Sequence, residues 1–361
     1  MTMNILHLSR TMGYGGAQKI VYELATGCKE RGHHIVVVSG DGVYVDMLQE
    51  ADIPHYEVCD LESKNFWNIC KTLKSLIMIV KKEKIEVVHT HHRMAAIYGN
   101  LLRWIFPDIK LVYTAHNVFY NKKVFTRFGL RSSEIVAVGK NVKHNLEDYF
   151  DIDGSRIHII YNAVETMVNE CYDKTIEQWR SAGNILVGTV GRITEQKGTD
   201  IFVKAFAEAK KSQPLLKGII IGDGELREEV ETLIGILELK DDIYMMGYQD
   251  NVACLMKQLS FAVMPSRWEG FPLTPLELFS VGKTLIASDI VGINEIVENN
   301  KNGILVRKND WKTLAREIVD LANDSEKRKR LENAGKEFYY KNMDYDKFIE
   351  QYIDLYEKIG E

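Results

Sequence analysis

Four charged side chains are spaced for work on a phosphorylated ligand: Arg192 and Lys197 in TVGRITEQKGTD, and Glu269 and Glu277 in PSRWEGFPLTPLELFS. Arg192 directly follows a β-branched run and Lys197 precedes Gly198 at an expected helix start, so the pair could grip a diphosphate as a planar fork plus a point charge. Such a pair can stabilise a leaving pyrophosphate in place of a divalent ion. Glu269 falls on a loop closed by Gly-Phe-Pro, and Glu277 falls inside a helix beginning near Thr274, so the two carboxylates face different parts of one elongated ligand. Between them the N–H groups of Leu273 and Thr274 sit at a helix start, which suits phosphate. The plainer alternative is two solvated cations and two unrelated surface acids.

Three other places carry candidate chemistry. SRTMGYGGAQ puts Gly13, Gly15 and Gly16 just before a helix expected to begin near Ala17, allowing close approach of a phosphate to backbone N–H groups. It is not a full GxGxxG fingerprint, and a tight strand-to-helix turn would explain the same glycines. His116 ends the run KLVYTAH. His89, His91 and His92 crowd another strand end without a carboxylate or cysteine at ligand spacing, so no metal is expected there.

The elements that must position these groups follow from short apolar runs alternating with amphipathic stretches. NILHLS, HIVVVSG, EVVHT, KLVYTA, EIVAVG and RIHIIYN form one series; NILVGTVG, GIIIGDG, DIYMMGY, FAVMP, TLIASD and GILV form a second. Strand and helix in repeated alternation predict an α/β fold with parallel sheets covered on both faces. The restart predicts two doubly wound, Rossmann-like domains, residues 1–165 and 166–343, joined through a polar stretch around 161–183. A terminal amphipathic helix over 344–361 is expected to pack back on the first. Such sheets bind ligands at the C-terminal ends of their strands, so a cleft between the domains is the expected site.

Composition bounds the class. With 45% hydrophobic and 27% charged residues in 361, disorder and fibrous structure are excluded. The net charge of −5 is uneven. Residues 60–145 hold fifteen Lys and Arg against six Asp and Glu, while residues 166–361 hold twenty-six against thirty-three. No recognition motif accompanies the basic half, so no nucleic acid is expected. Five scattered cysteines suggest neither a disulfide framework nor a zinc cage, hence a reducing compartment. No apolar run is long enough to span a bilayer, which predicts a cytoplasmic protein.

Taken together, GGAQ, VVHTHH, the strand ending TAH, GRITEQKG, IGDGELREEV and MPSRWEGFPLTPLE resemble the retaining family 4 glycosyltransferases, the glycosyl transferases group 1, of GT-B fold. The motifs stand in that family's order from Gly13 to about Gly303. The resemblance implies two Rossmann-like domains facing across a cleft. It implies that Arg192 and Lys197 hold the donor's diphosphate and that Glu277 accepts hydrogen bonds from the ribose. Glu269, with main-chain donors around Gly270, Phe271, Leu273 and Thr274, would contact the transferred sugar. His116 would orient that sugar, and Gly15 and Gly16 would close on the phosphates. Met246–Tyr248 matches the base-binding region. Two departures stand out: Leu278, Phe279 and Ser280 replace the usual Ala-Met-Ala, and Gln18 stands where Glu is frequent.

The activity so implied is metal-independent, retaining hexosyl transfer from a nucleoside diphosphate sugar, a co-substrate rather than a cofactor, to a hydroxyl of a glycan. Aromatics among cations in NFWNICKTLKSLIMIVKKEK, RWIFP and FYNKKVFTRF suit peripheral contact with the inner face of the plasma membrane and a lipid-linked acceptor in surface-polysaccharide assembly. An ordinary sheet-covering helix with a lysine face explains the first of these equally well. A sugar-nucleotide epimerase of the same fold and a non-catalytic partner subunit are the competing functions.

Overall fold

The computed structural model describes residues 2–63, 65–164 and 171–359, which form two compact α/β units: the described residues of 1–163 with those of 345–361, and the described residues of 164–344. The N-terminal unit holds seven strands: β1 (Asn4–Thr11), β2 (His34–Gly40), β3 (His55–Glu57), β4 (Val87–Thr90), β5 (Lys110–Ala115), β6 (Glu134–Ala137) and β7 (Ile157–Ile159). They pair in parallel in the order β3-β2-β1-β4-β5-β6-β7. The C-terminal unit holds β8 (Ile185–Val190), β9 (Leu216–Ile221), β10 (Ile243–Gly247), β11 (Phe261–Met264), β12 (Leu285–Asp289) and β13 (Ile304–Arg307). Their order is β10-β9-β8-β11-β12-β13, again parallel.

Burial explains why the runs are apolar on both faces. Leu6, Leu8, Val36, Val38, Val88 and Leu111 share one core with Leu76 and Leu102 from covering helices. Val187, Ile220, Val263, Ile286 and Ile304 do the same with Phe202, Phe206 and Ile318. Every strand expected from the sequence is present. β3 is additional: three residues at a sheet edge are too few to show a period.

Three other expectations change. The polar connecting stretch contains a helix, Lys174–Ser181, capped by Asp173, whose carboxylate accepts from the N–H of Ile176 at 3.0 Å. Gly16, expected just before the helix after β1, is instead its first residue. Cys171 and Cys254, 83 positions apart, form a disulfide; separation in sequence hid a pairing that the fold brings to a Cα distance of 6.0 Å.

The terminal helix Tyr345–Lys358 turns Phe348, Ile349, Tyr352, Leu355 and Tyr356 inward at helical spacing. It packs on the helix Gly16–Glu30 within the N-terminal unit, where a β-carbon at Gly27 would lie 2.6 Å from Ile349 Cδ1. The departure at Leu278 and Phe279 is accommodated by a similar glycine. Both side chains are fully buried, and Phe279 fills the space beside Gly335, where a β-carbon would lie 2.5 Å from its ring. Among the described residues no helix is long and apolar enough to cross a membrane.

Candidate active site

In each sheet the strand order reverses between two neighbours, β1/β4 and β8/β11, and loops leaving such neighbours diverge to leave room for a ligand. In the C-terminal unit these loops are 191–198, after β8, and 265–273, after β11. They are stitched together. The N–H of Arg267 donates to the carbonyl of Gln196 at 2.7 Å, and its guanidinium donates to the carbonyl of Glu195 at 2.7 Å. Its Nη2 donates to both carboxylate oxygens of Asp200, at 2.9 Å each. A β-carbon at Gly198, which adopts φ 67°, would lie 2.3 Å from the carbonyl oxygen of Pro265, so only glycine lets the loops meet this closely.

Glu269 sits in this junction, 5% exposed. Its Oε1 accepts from Lys197 Nζ at 2.7 Å and from Ser266 Oγ at 2.8 Å, and its Oε2 accepts from Gln196 Nε2 at 3.1 Å. Three donors fix the orientation of this buried carboxylate and satisfy its oxygens. Lys197 spends one N–H on it and keeps two for another anion. Arg192 lies exposed on the same loop and makes no side-chain hydrogen bond or ion pair among the described residues.

Gly270, Phe271 and Leu273 are buried behind Glu269, and a β-carbon at Gly292 would lie 2.4 Å from the carbonyl oxygen of Gly270. The following helix, Thr274–Ser280, carries Glu277 half-buried in its first turn and has no side-chain cap on its amides. The GDG loop packs behind Arg192: a β-carbon at Gly222 would lie 2.0 Å from the carbonyl oxygen of Gly191, and the Gly222 N–H donates to the carbonyl of Gly247 at 2.8 Å. Gly247 lies inside the Met246–Tyr248 segment.

In the N-terminal unit, Gly15 precedes a helix whose start has no side-chain cap. The loop after β2 presses on this turn, since a β-carbon at Gly42 would lie 2.1 Å from the Gly13 nitrogen. Gln18, the second departure, folds over the turn, its Oε1 2.4 Å from where a Gly15 β-carbon would be. His116 follows β5 and is half-buried; its Nε2 meets His91 Nδ1 at 3.1 Å, and His91 Nε2 meets His7 Nδ1 at 3.0 Å. His89 places Nδ1 2.7 Å from Tyr356 Oη and Nε2 2.7 Å from Thr114 Oγ1. Burial holds these rings neutral, pushing His7 down to about 3 and His116 to about 4, and His89 and His91 well below the usual value.

Thus the fold brings Lys197 onto Glu269, sets Arg192 on the same loop, and leaves Glu277 on the next helix. His92 stands apart from the other histidines of its run and caps the helix Arg93–Ile105. Sequence reasoning missed Gln196, Ser266, Arg267 and Asp200, which hold the two loops, and His7, which replaces His92 in the cluster. Only the proximity of Gln196 and Ser266 to the charged positions could have marked them.

Two family models match consecutive parts of the chain: Glycosyltransferase Family 4 over residues 14–167 and Glycosyl transferases group 1 over residues 173–338. An uncharacterized glycosyltransferase of Methanocaldococcus jannaschii is 29% identical over 298 residues, 78% of each chain. The UDP-Gal:alpha-D-GlcNAc-diphosphoundecaprenol alpha-1,3-galactosyltransferase of Escherichia coli is 27% identical over 273 residues, 70% of each chain. Anabaena HepE, solved in complex with UDP and glucose, superposes with a TM-score of 0.86 at 20% identity, covering 99% of this chain and 100% of its own. The parallel-sheet units and the matched models agree: this chain is a glycosyltransferase of family 4, with the GT-B fold.

Proposed function

We propose that the protein is a retaining, metal-independent hexosyltransferase that moves a sugar from a nucleoside diphosphate sugar to a hydroxyl of a lipid-linked glycan in cell-surface polysaccharide assembly. The observation that carries the donor half is the Lys197–Glu269 pair beside the exposed Arg192. Arg192 and the two remaining N–H groups of Lys197 neutralise the diphosphate as its bond to the anomeric carbon breaks. Glu269, whose orientation is fixed by three donors, accepts from hydroxyls of the transferred sugar. Glu277 accepts from the ribose, Gly15 and Gly16 offer amides to phosphate, and His116 orients the sugar. The acceptor oxygen bonds to the anomeric carbon on the face the phosphate leaves, and its proton passes to the departing phosphate oxygen.

Support for a lipid-linked acceptor comes from the diphosphoundecaprenol substrate named for the E. coli relative and from one surface of the N-terminal unit. The helix Lys123–Leu130 buries Thr126, Gly129 and Leu130 and turns Val124, Phe125, Arg127 and Phe128 outward, next to exposed Lys122 and Arg131. Its neighbour, the helix Arg93–Ile105, exposes Trp104. Apolar and cationic groups on one face suit an anionic bilayer at the inner face of the plasma membrane. The helix Phe66–Glu83 covers the sheet through Leu76, Ile79 and Val80 and exposes Phe66, Trp67 and Met78 together with its lysines.

The test is transfer from a panel of UDP-, GDP- and ADP-sugars to an undecaprenyl diphosphate-linked sugar, with NMR of the product's anomeric proton and a parallel reaction in EDTA. Transfer with the donor's anomeric configuration preserved and insensitive to EDTA is expected. An inverted product, or activity abolished by EDTA, would overturn retention or metal independence respectively.

A further inference from the structure

His7 lies on β1 opposite His89 on β4, His91 leaves the end of β4, and His116 leaves the end of the next strand, β5. The sheet therefore stacks histidines side by side, and three of them form a chain: His7 Nδ1 to His91 Nε2 at 3.0 Å, then His91 Nδ1 to His116 Nε2 at 3.1 Å. His89 stands beside this chain, its ring centroid 4.0 Å from that of His91, but directs both nitrogens to Tyr356 and Thr114.

A neutral imidazole has one N–H and one bare nitrogen. In a row of three neutral rings, fixing the direction of one hydrogen bond therefore fixes all of them. The deciding atom is His7 Nε2, which is buried and has no hydrogen-bond partner. If protons ran from His116 towards His7, that atom would be an orphaned N–H; if they run from His7 towards His116, it is a bare lone pair. Orphaned buried N–H groups are the rarer of the two. His7 Nδ1–H thus donates to His91 Nε2, and His91 Nδ1–H donates to His116 Nε2.

We propose that His7 and His91 are positioning residues that lock His116 as the Nδ1–H tautomer, making it a neutral hydrogen-bond donor to a substrate oxygen. Nδ1 has no protein partner among the described residues. A neutral donor orients a sugar oxygen without placing positive charge beside an anomeric carbon that is itself becoming cationic. The identity of that oxygen as part of the transferred sugar rests on the function proposed above; the tautomer does not.

The test is long-range ¹H–¹⁵N correlation of the imidazole nitrogens in ¹⁵N-histidine-labelled full-length protein at pH 7.5, with His116 assigned by His116→Gln. The wild-type protein is expected to show a protonated Nδ1 and a bare Nε2 at His116. His91→Leu should shift His116 towards Nε2–H and lower kcat at least tenfold with little change in donor KM. His91→Asn, whose amide N–H can approach the place of Nδ1, should restore both the signature and much of kcat. A wild-type His116 protonated on Nε2 would overturn the proposal without any variant, and so would a His91→Leu protein with an unchanged tautomer. One equivalent of Zn²⁺ that shifts the His7, His89 and His91 signals together would overturn it in favour of a metal site. A tautomer that changes while transfer does not would leave the lock intact and remove His116 from the proposed reaction.

Discussion

Lys197 Nζ lies 2.7 Å from Glu269 Oε1, so the cation proposed for the diphosphate and the carboxylate proposed for the sugar are one ion pair. The side chains are 20% and 6% exposed, and removing the lysine leaves a buried carboxylate with two neutral donors. Lys197→Ala is therefore expected to lower stability by about 3 kcal/mol as well as reduce kcat by about 100-fold. The double variant Lys197→Met, Glu269→Gln should recover most of the lost thermal stability without recovering turnover. A fully stable Lys197→Ala protein would show that the pair contributes nothing to the fold.

Arg192 gives the cleaner measurement. Because it is exposed and carries no side-chain partner among the described residues, Arg192→Ala should leave stability within about 0.5 kcal/mol of wild type. One charge-assisted hydrogen bond to phosphate is worth about 1.5–3 kcal/mol, so calorimetric titration with the matching nucleoside diphosphate should show affinity lowered at least tenfold. Unchanged affinity would remove Arg192 from the donor site.

The buried histidines make stability depend on pH. Above about pH 6.5, His7, His89 and His91 are neutral whether the chain is folded or unfolded, and their contribution is constant. As pH falls below that value the unfolded chain takes up protons that the folded chain refuses, down to about 3 for His7 and lower than usual for the other two. Each ring then removes about 1.4 kcal/mol of stability per pH unit. Calorimetric melting at pH 7.5, 6 and 5 should show a plateau followed by a steep fall, and a Tm unchanged down to pH 5 would contradict this burial.

The outward face of the helix Lys123–Leu130 predicts a composition-dependent membrane affinity. Sedimentation with vesicles containing anionic lipid should exceed that with neutral vesicles and decline with salt. Arg127→Glu with Arg131→Glu should weaken it by about 1 kcal/mol for each positive charge removed, and Phe125→Ser with Phe128→Ser should weaken it further. Equal binding to both vesicle types would exclude this face as an electrostatic contact.

Gly335 should tolerate no side chain while Phe279 remains. Gly335→Ala puts a methyl into the Phe279 ring and should cost about 1–3 kcal/mol, measured by urea denaturation, and Phe279→Leu in the same chain should return part of it. An Ala variant as stable as wild type would mean that the ring moves freely.

Much of this molecule was determined by local sequence. Twelve of its strands were legible because parallel strands, covered on both faces, need unbroken apolar runs, as in HIVVVSG and TLIASD. The helix starts at Thr199 and Thr274 were marked by Gly198 and by the prolines Pro272 and Pro275, and Phe348, Ile349, Tyr352, Leu355 and Tyr356 disclosed the buried face of the terminal helix. The motif order identified the family. Tertiary structure alone decided which residues meet, because hydrogen bonds between loops separated by about 70 positions leave no period in the chain. The Lys197–Glu269 pair, the Arg267–Asp200 brace, the Cys171–Cys254 disulfide and the choice of His7 over His92 beside His91 all depend on strand order, which places β8 against β11 and β1 against β4.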